Sequence, residues 1–197
     1  MCRLLSRRRV HTPRSSGGAR LPDLLTGDVM LRQWRAEDLG PLTDLFADPC
    51  FSWYPYRRAR TPSEAADFLL RVQRQWLRRD IGVWAVSDRT GSDLLGYAGV
   101  TEIDAEIWSA DWEMGVRLAP RAHGRGLGAQ VLAAALADVF DRTDADQVIA
   151  TIEVGHARSE RLFRRVGMLP SGTLPHPRFS SVHTVMRLTR DQWQRQA

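Results

Sequence analysis

A glycine-rich motif, Pro120-Arg121-Ala122-His123-Gly124-Arg125-Gly126-Leu127-Gly128, stands between an alternating apolar run and a helical run. Its three glycines occur at every second position and open the helical pattern of residues 129–140. Such a loop leaves several backbone N–H groups uncovered, and the positive end of the helix dipole adds to them. The motif therefore predicts a pyrophosphate-binding site at the start of a helix.

Three other interpretations of the motif were weighed against the composition and the spacing. A Walker phosphate loop requires a lysine after its last glycine, and the chain contains no lysine. A dinucleotide fingerprint is formally matched by Gly124, Gly126 and Ala129. Its acidic residue should end the next strand, however, whereas Asp146 precedes the apolar run 148–152. A glycine-rich turn that merely caps a buried helix remains the structural alternative.

Four further motifs accompany the glycine-rich one. They are Met30-Leu31-Arg32-Gln33-Trp34-Arg35 followed by Glu37-Asp38, Asp111-Trp112-Glu113-Met114-Gly115-Val116, His156-Ala157-Arg158-Ser159 with Leu162-Phe163 and Gly167-Met168, and Arg187-Leu188-Thr189-Arg190-Asp191-Gln192-Trp193. Together, from about residue 28 to 193, the five motifs resemble the GNAT acyltransferase superfamily, specifically its RimJ/RimL-type branch of ribosomal-protein N-terminal acetyltransferases. The resemblance implies an α+β fold with a mixed, mostly antiparallel central sheet and helices on both faces. It also implies acetyl-CoA as co-substrate.

The resemblance assigns the coenzyme to two regions of the chain. Those residues are Val116, Arg117, Leu118, His123, Gly124, Arg125, Gly126, Leu127 and Gly128, followed by His156, Ser159 and Phe163. Three of them depart from the family pattern, in which Arg or Gln stands at position 123, Asn at 156 and, in many members, Tyr near 163. Asparagine and lysine are both absent from the chain, so the composition of a GC-rich, bacterial genome explains part of the departure.

Acetyl transfer to an amine requires a base, because an alkylamine with a pKa near ~10 is protonated at neutral pH. The residue favoured as base is Glu113, which shares a strand face with Gly115 and Arg117 and matches the family's glutamate. A cross-strand ion pair on a solvated face is the alternative role for this side chain. The candidates considered were Glu102, Asp104, Glu106, Asp111 and Glu113.

Ser159 is the candidate acid for the leaving thiolate. In a helix over 157–166 it shares a face with Leu162, Phe163 and Val166, so its hydroxyl points inward and needs a partner. The resemblance makes that partner the coenzyme sulfur, whereas a bond back to its own helix is the alternative. Because a thiol with a pKa of ~8.5 leaves readily, we expect Ser159 to matter less than the base.

Aromatic residues between the first two helices are expected to line the acceptor entrance, or else to pack under their loop. The carboxylates of residues 102–113 favour a cationic acceptor, either a protein N-terminus or a small amine, including an amino-bearing antibiotic. The histidines lack ligand spacing, so no metal site is expected. The predicted acceptor residues are Trp53, Tyr54, Tyr56 and Asp111.

Composition limits the class of protein. A chain of 197 residues, 43% hydrophobic and without an 18-residue apolar run, fits one domain that does not cross a membrane. Two cysteines, Cys2 and Cys50, indicate no disulfide framework and favour a cytoplasmic location. A monomer or homodimer is expected.

Residues 1–22 hold six arginines and no acid, so the net charge of +5 belongs largely to this segment. We expect residues 1–27 to form a disordered arm, and residues 28–197 to form the acetyltransferase domain. The arm could contact nucleic acid or the ribosome through phosphates, although a plain solvated tail is the simpler interpretation. A non-catalytic acyl-CoA sensor or RNA-associated module is the alternative function.

Periodicity and helix-start signals give the order of the elements. They predict helices at 36–47, 62–79, 126–141 and 157–166, and an aromatic-rich loop at 49–57. The predicted strands are 29–34, 82–87, 94–103, 109–118 and 147–154, with two more near 171–176 and 181–188.

Overall fold

A computed structural model describes residues 23–177 and 179–196 of the protein. The described residues form eight strands and seven α-helices. The strands are β1 (Leu24–Thr26), β2 (Val29–Arg32), β3 (Val83–Asp88), β4 (Leu94–Glu102), β5 (Trp112–Leu118), β6 (Gln147–Glu153), β7 (Leu169–Pro175) and β8 (Val182–Thr189). The helices are α1 (Leu39–Ala47), α2 (Pro49–Tyr56), α3 (Pro62–Arg79), α4 (Ala105–Trp108), α5 (Leu127–Arg142), α6 (Ala157–Arg165) and α7 (Arg190–Gln194).

The strands form one sheet in the order β1-β2-β3-β4-β5-β6-β8-β7. Every neighbouring pair is antiparallel except β5 and β6, which are parallel and meet only at Glu113 and Ile149. Since no further pairing joins them, the two strands separate toward their C-terminal ends. The mixed, mostly antiparallel sheet is the architecture expected from the sequence, and the gap between β5 and β6 positions the site.

Both faces of the sheet are covered by helices. On one face Leu127 and Val131 of α5 pack with Trp112 and Met114 of β5 in the larger buried cluster. On the other face α1 and α3 enclose a second cluster that includes Phe46. The alternation predicted for β5 is confirmed, because its apolar residues face α5 and the opposite face is left for Glu113, Gly115 and Arg117.

The start of α3 follows the sequence signal closely. The hydroxyl of Thr61 accepts from the N–H of Glu64 at 3.2 Å, and the Glu64 carboxylate accepts from the N–H of Thr61 at 2.8 Å. This reciprocal capping box satisfies two N–H groups at the helix start. The helix spans Pro62–Arg79, as predicted.

Residues 49–57 are not the loop that was predicted. The carboxylate of Asp48 accepts from the N–H of Cys50 at 2.8 Å, and Pro49 occupies the first turn, so a helix begins here. The helix is broken at Tyr54, whose extended conformation is the one favoured before Pro55. α2 is therefore a kinked helix, and its second half turns toward the sheet.

The strand predicted at 109–118 begins only at Trp112. Asp104 caps a short helix, accepting from the N–H of Glu106 at 2.9 Å, and that helix ends at Ser109 with a φ of 53°. Residues 105–108, which lie between two predicted strands, fold as α4, and residues 109–111 connect this helix to β5.

The domain boundary predicted at residue 27 falls too late in the chain. Leu24–Thr26 form the edge strand β1, which pairs with Val29–Arg32 of β2, and Leu24 packs against the larger cluster. The part of the proposed arm within residues 1–22 lies outside the described residues. Within the described ranges, no helix is both long and apolar enough to cross a bilayer.

Candidate active site

A cleft of about 1220 Å³ opens where β5 and β6 separate. Its walls come from α2, the glycine-rich motif, α6 and the connection between β7 and β8. Most of the residues predicted for the site therefore meet in one place, although they come from distant parts of the chain. Those that line the cleft are Trp53, Tyr54, Tyr56, Glu113, Val116, Arg117, Leu118, His123, Gly124, Gly126, Leu127, Gly128, His156, Ser159 and Phe163.

The glycine-rich motif forms an open cradle at the start of α5. Gly124 and Gly126 have φ values of +78° and +75°, in the left-handed region that favours glycine. A Cβ at Gly124 would meet no atom of the described residues within 4 Å, so these residues leave the space above the loop free. The N–H groups of residues 124–128 donate to no acceptor among the described residues. Free N–H groups at a helix start are the chemistry that an anionic phosphate requires.

Gly128 serves a different purpose from the two glycines before it. A Cβ at this position would lie 3.1 Å from Leu162 Cδ2 of α6. The glycine therefore allows α5 and α6 to pack closely at the edge of the cleft.

The side chains of His123 and Arg125 both contact other parts of the protein. The His123 ring bonds the carbonyl of Leu118 at 2.8 Å and so ties the loop to the end of β5. The Arg125 guanidinium lies 3.7 Å from the carboxylate of Asp28, and Arg125 does not line the cleft. A loop that binds through its backbone tolerates both arrangements.

Glu113 lies where β5 meets β6. Its carboxylate accepts a hydrogen bond from the hydroxyl of Thr151, a residue of β6 that also lines the cleft. Within the described part of the chain Glu113 makes no ion pair, so the alternative of a cross-strand ion pair does not apply. The side chain is half-buried and retains one carboxylate oxygen for a ligand.

The other acidic candidates lie away from the cleft. Glu102 pairs with arginines of α3, among them Arg78 at 2.5 Å, and Asp104 caps α4. Asp111 is exposed before β5, where its carbonyl accepts from the N–H of Ile103 at 3.0 Å. Only Glu113 of the five candidates lines the cleft. The carboxylates of residues 102–113 therefore do not attract a cationic acceptor as one group at the cleft.

Ser159 faces the cleft from the first turn of α6. Its neighbours Phe163 and Val166 are buried, which agrees with the predicted inward face. Among the described residues the hydroxyl makes no hydrogen bond, so it is not bonded back to its own helix. The hydroxyl is therefore available to a ligand in the cleft.

His156 and the kinked end of α2 close one side of the cleft. The His156 ring stacks on Tyr54, with ring centroids 3.8 Å apart. Arg117 donates to the carbonyls of Phe51, at 3.1 Å, and of Tyr54. Burial lowers the pKa of His156, and the nearby charges of Arg117 and other arginines act in the same direction, whereas the Glu153 carboxylate acts in the opposite one. The stack is thus formed by a neutral imidazole at neutral pH.

Two groups of cleft residues escaped the sequence analysis. The first is a row of exposed arginines on α6, which line the cleft and have no ion-pair partners among the described residues: Arg158, Arg161 and Arg165. Their spacing of three and four residues places them on one helix face, so this signal could have been read from the sequence.

The second group comes from the connection between β7 and β8. His176 and His183 are buried with ring centroids 4.6 Å apart, and Phe179 packs against both. Burial lowers the pKa of His183. Sequence spacing gave no sign of this contact, because the two histidines meet only across a hairpin. No group of three or more potential metal ligands occurs in the described ranges.

Comparison with known proteins gives a family and several similar folds. The model of the acetyltransferase (GNAT) domain matches residues 28–169. Phosphinothricin N-acetyltransferase of Streptomyces coelicolor is 31% identical over 155 residues, which cover 75% of this chain and 86% of that protein.

Two solved structures share the fold at low identity. The ribosomal-protein acetyltransferase RimL in complex with coenzyme A has a TM-score of 0.71 and 15% identity, covering 87% of this chain and 99% of the other. Spermidine N-acetyltransferase from Vibrio cholerae, in complex with CoA and spermine, has a TM-score of 0.68 and 16% identity, covering 85% and 98%. These likenesses confirm the predicted fold and leave the acceptor open.

Proposed function

Because the chain belongs to the GNAT acetyltransferase family, we propose that it transfers acetyl from acetyl-CoA to the nitrogen of a primary amine by direct attack. One observation carries the proposal. A single cleft contains a phosphate cradle, the carboxylate of Glu113 and the hydroxyl of Ser159. These are the three groups that anchor the donor, accept the amine proton and protonate the leaving sulfur.

The coenzyme fits the groups present. The free N–H groups of residues 124–128 would hold the pyrophosphate. The row of arginines on α6 is suited to the 3′-phosphate, because one guanidinium group can donate two parallel hydrogen bonds to two oxygens of a phosphate. His156 and Phe163 would border the pantetheine arm.

Glu113 acts as the base in this account. It takes the proton that the acceptor's ammonium loses, and Thr151 holds the carboxylate in place. The free amine then forms the C–N bond at the thioester carbonyl carbon as the C–S bond breaks. Ser159 donates its proton to the departing sulfur. The newly acetylated nitrogen gives up its extra proton to Ser159 through water, and Glu113 releases the first amine proton to bulk water, so the net products are the amide, the free thiol and one proton.

A small-molecule amine is the acceptor class that we favour. The Streptomyces relative, named for phosphinothricin, supports this choice at 31% identity, whereas the RimL likeness at 15% concerns the fold alone. The motifs of the RimJ/RimL branch make a protein N-terminus the competing acceptor.

Release of free thiol from acetyl-CoA in the presence of an amine library tests the proposal. The library contains small primary amines and N-terminal peptides of ribosomal proteins, with mass detection of the acetylated product. We expect thiol release that depends on the amine and a product heavier by one acetyl group. Tight binding of acetyl-CoA with no amine-dependent release would instead identify an acyl-CoA sensor.

A further inference from the structure

A second, smaller cavity of about 150 Å³ adjoins the main cleft beside Glu113. Thr101 and Gly115 line both cavities. Thr101 is the cross-strand partner of Glu113, and Gly115 is the next residue on the same face of β5. Directly paired Cα atoms lie ~4.5–5.5 Å apart in antiparallel sheets. The small cavity therefore begins about one strand spacing from Glu113.

Gly115 leaves free space at a position that lines both cavities. A Cβ at this position would meet no atom within 4 Å, so a side chain here would project into free space. Its partner Gly99 is a glycine for another reason, because a Cβ there would lie 2.3 Å from the carbonyl oxygen of Gly82. Free space at Gly115 is thus a property of the site, whereas Gly99 is required by the packing of the neighbouring strand.

Arg71 of α3 brings a positive charge to the small cavity. The side chain lines this cavity at its exposed edge and does not line the main cleft. Its guanidinium carbon lies 5.5 Å from the centroid of Phe68. Within the described ranges it has no ion-pair partner, whereas Arg78 and Arg79 on the same helix both pair with Glu102.

The remaining polar groups of the cavity favour an anion as well. The hydroxyls of Tyr97 and Thr101 make no hydrogen bond among the described residues and can donate. Gln75 is fully occupied, since its amide group donates to the carbonyls of Ile81 and Val100. No aspartate or glutamate is among the described residues that line the cavity. A cation and free hydroxyl donors, with no carboxylate among the described lining residues, form a site for an oxyanion.

We propose that the small cavity binds a carboxylate or similar oxyanion of the acceptor through Arg71, while the acceptor's amine lies at Glu113. The proposal rests on the proposed function and specifies its substrate class. The acceptor is a primary amine that also carries an anionic group, as an amino acid does. Such a zwitterion would place its ammonium group near the Glu113 carboxylate and its oxyanion near the Arg71 guanidinium. The two contacts together would fix its orientation in the site.

Pairs of acceptors that differ only in the charge of one group provide the test. Initial rates of thiol release are measured with full-length protein, acetyl-CoA and either alanine or alaninamide, and likewise with β-alanine or its amide. Removing the carboxylate makes the amine less basic, so more of the amide is present as free amine. A preference for the acid therefore reflects recognition and not amine reactivity.

Variants of two arginines on the same helix complete the design. Arg71→Gln should raise KM for the amino acids at least about tenfold, which corresponds to ~1.4 kcal/mol. KM for the amides and for acetyl-CoA should stay unchanged. Arg74→Gln is the matched control, because Arg74 is exposed on α3 and lines neither cavity. Arg71→Lys should restore part of the loss.

The outcomes separate this inference from the proposed function. Equal use of acids and amides by the unaltered protein, or an equal rise in both KM values for Arg71→Gln, would refute the oxyanion site and leave acetyl transfer standing. No thiol release with any amine would overturn both. The carboxylate could belong to a free amino acid or to an acidic N-terminal residue, and Arg71 would be required in both cases. Arg71-dependent acetylation of an amidated peptide that begins with aspartate would identify an acidic N-terminus as the source, whereas acetylation of free amino acids alone would identify a free amino acid.

Discussion

The rings of Tyr54 and His156 stack at 3.8 Å with their planes 11° apart, and this contact joins the kinked end of α2 to the start of α6. Arg57 strengthens the junction, because it pairs with Glu153 and lies 4.3 Å from the Tyr54 ring centroid. The segment that was predicted to be a loop is thus a kinked helix that forms one wall of the cleft.

The first prediction concerns the pH dependence of stability. Burial lowers the pKa of His156 below the ordinary 6.5, so the unfolded chain takes up the proton first as the pH falls. Stability is therefore lost as the pH drops below about 6.5. His156→Gln should reduce the fall in melting temperature between pH 7 and about 5.5. Part of the fall should persist, because burial also lowers the pKa of His183.

Thermal melts of the variant and the parent at matched pH values check this prediction. Both proteins keep the same carboxylates. Among these, Glu64 has a pKa lowered to about 2 and titrates outside the interval. A parallel decline in the two proteins would show that His156 does not contribute.

The second prediction concerns the glycine cradle. Gly126→Val should weaken acetyl-CoA binding at least tenfold (~1.4 kcal/mol), because valine is strained at a φ of +75° and its side chain would cover the N–H groups. Gly91→Val is the control, since Gly91 has a φ of +80° in a turn that does not line the cleft. Calorimetry should show an affinity loss for Gly126→Val alone. Equal affinities of the two variants for acetyl-CoA would show that the glycine-rich motif does not bind the coenzyme.

The third prediction concerns the arginine row of α6. Changing Arg158, Arg161 and Arg165 together to glutamine should weaken binding of acetyl-CoA about tenfold but leave binding of its 3′-dephospho analogue nearly unchanged. The loss should shrink with added salt, because the row is exposed. Arg164→Gln is the matched control, since Arg164 lies on the same helix but does not line the cleft. A similar loss of affinity for both ligands would show that these arginines do not bind the 3′-phosphate.

The fourth prediction concerns the residue at which the folded domain begins. A chain that begins at Asp23 should keep its melting temperature and its turnover with a small amine, because the residues before it carry no predicted chemistry. A chain that begins at Gly27 lacks β1 and the packing of Leu24, so it should melt several degrees lower. Differential scanning calorimetry of the two chains decides the matter. Equal melting temperatures would mean that β1 adds nothing to stability.

Local signals predicted much of the fold. The capping box at Thr61 and Glu64 placed α3, and the alternation around Met114 placed Glu113 on the cleft face of β5. These features depend on neighbours in the sequence, so periodicity and cap chemistry suffice to find them.

Features that depend on distant contacts were missed. The aromatic and proline-rich composition of 49–57 obscured a helix that Asp48 caps and Arg117 holds. The pairing of Glu113 with Thr151 requires β5 and β6 to be neighbours, and the contact of His176 with His183 requires a hairpin. None of these contacts produces a periodic pattern of residue types in the sequence. The cleft residues in β5 and the glycine-rich motif could therefore be predicted from local patterns, whereas contacts between distant segments could not.

During acetyl transfer, we expect removal of the amine proton by Glu113 to contribute more to the rate than protonation of the leaving sulfur by Ser159. The measurement is kcat/KM for one small amine across neutral to alkaline pH, in the parent and in Glu113→Gln, Ser159→Ala and the control Glu102→Gln. Glu102 lies outside the cleft, so Glu102→Gln should match the parent. We predict that Glu113→Gln loses more activity at neutral pH than Ser159→Ala, and that its deficit shrinks as the free amine becomes populated. A constant ratio of Glu113→Gln to parent across the pH range, or a larger loss from Ser159→Ala, would contradict the account.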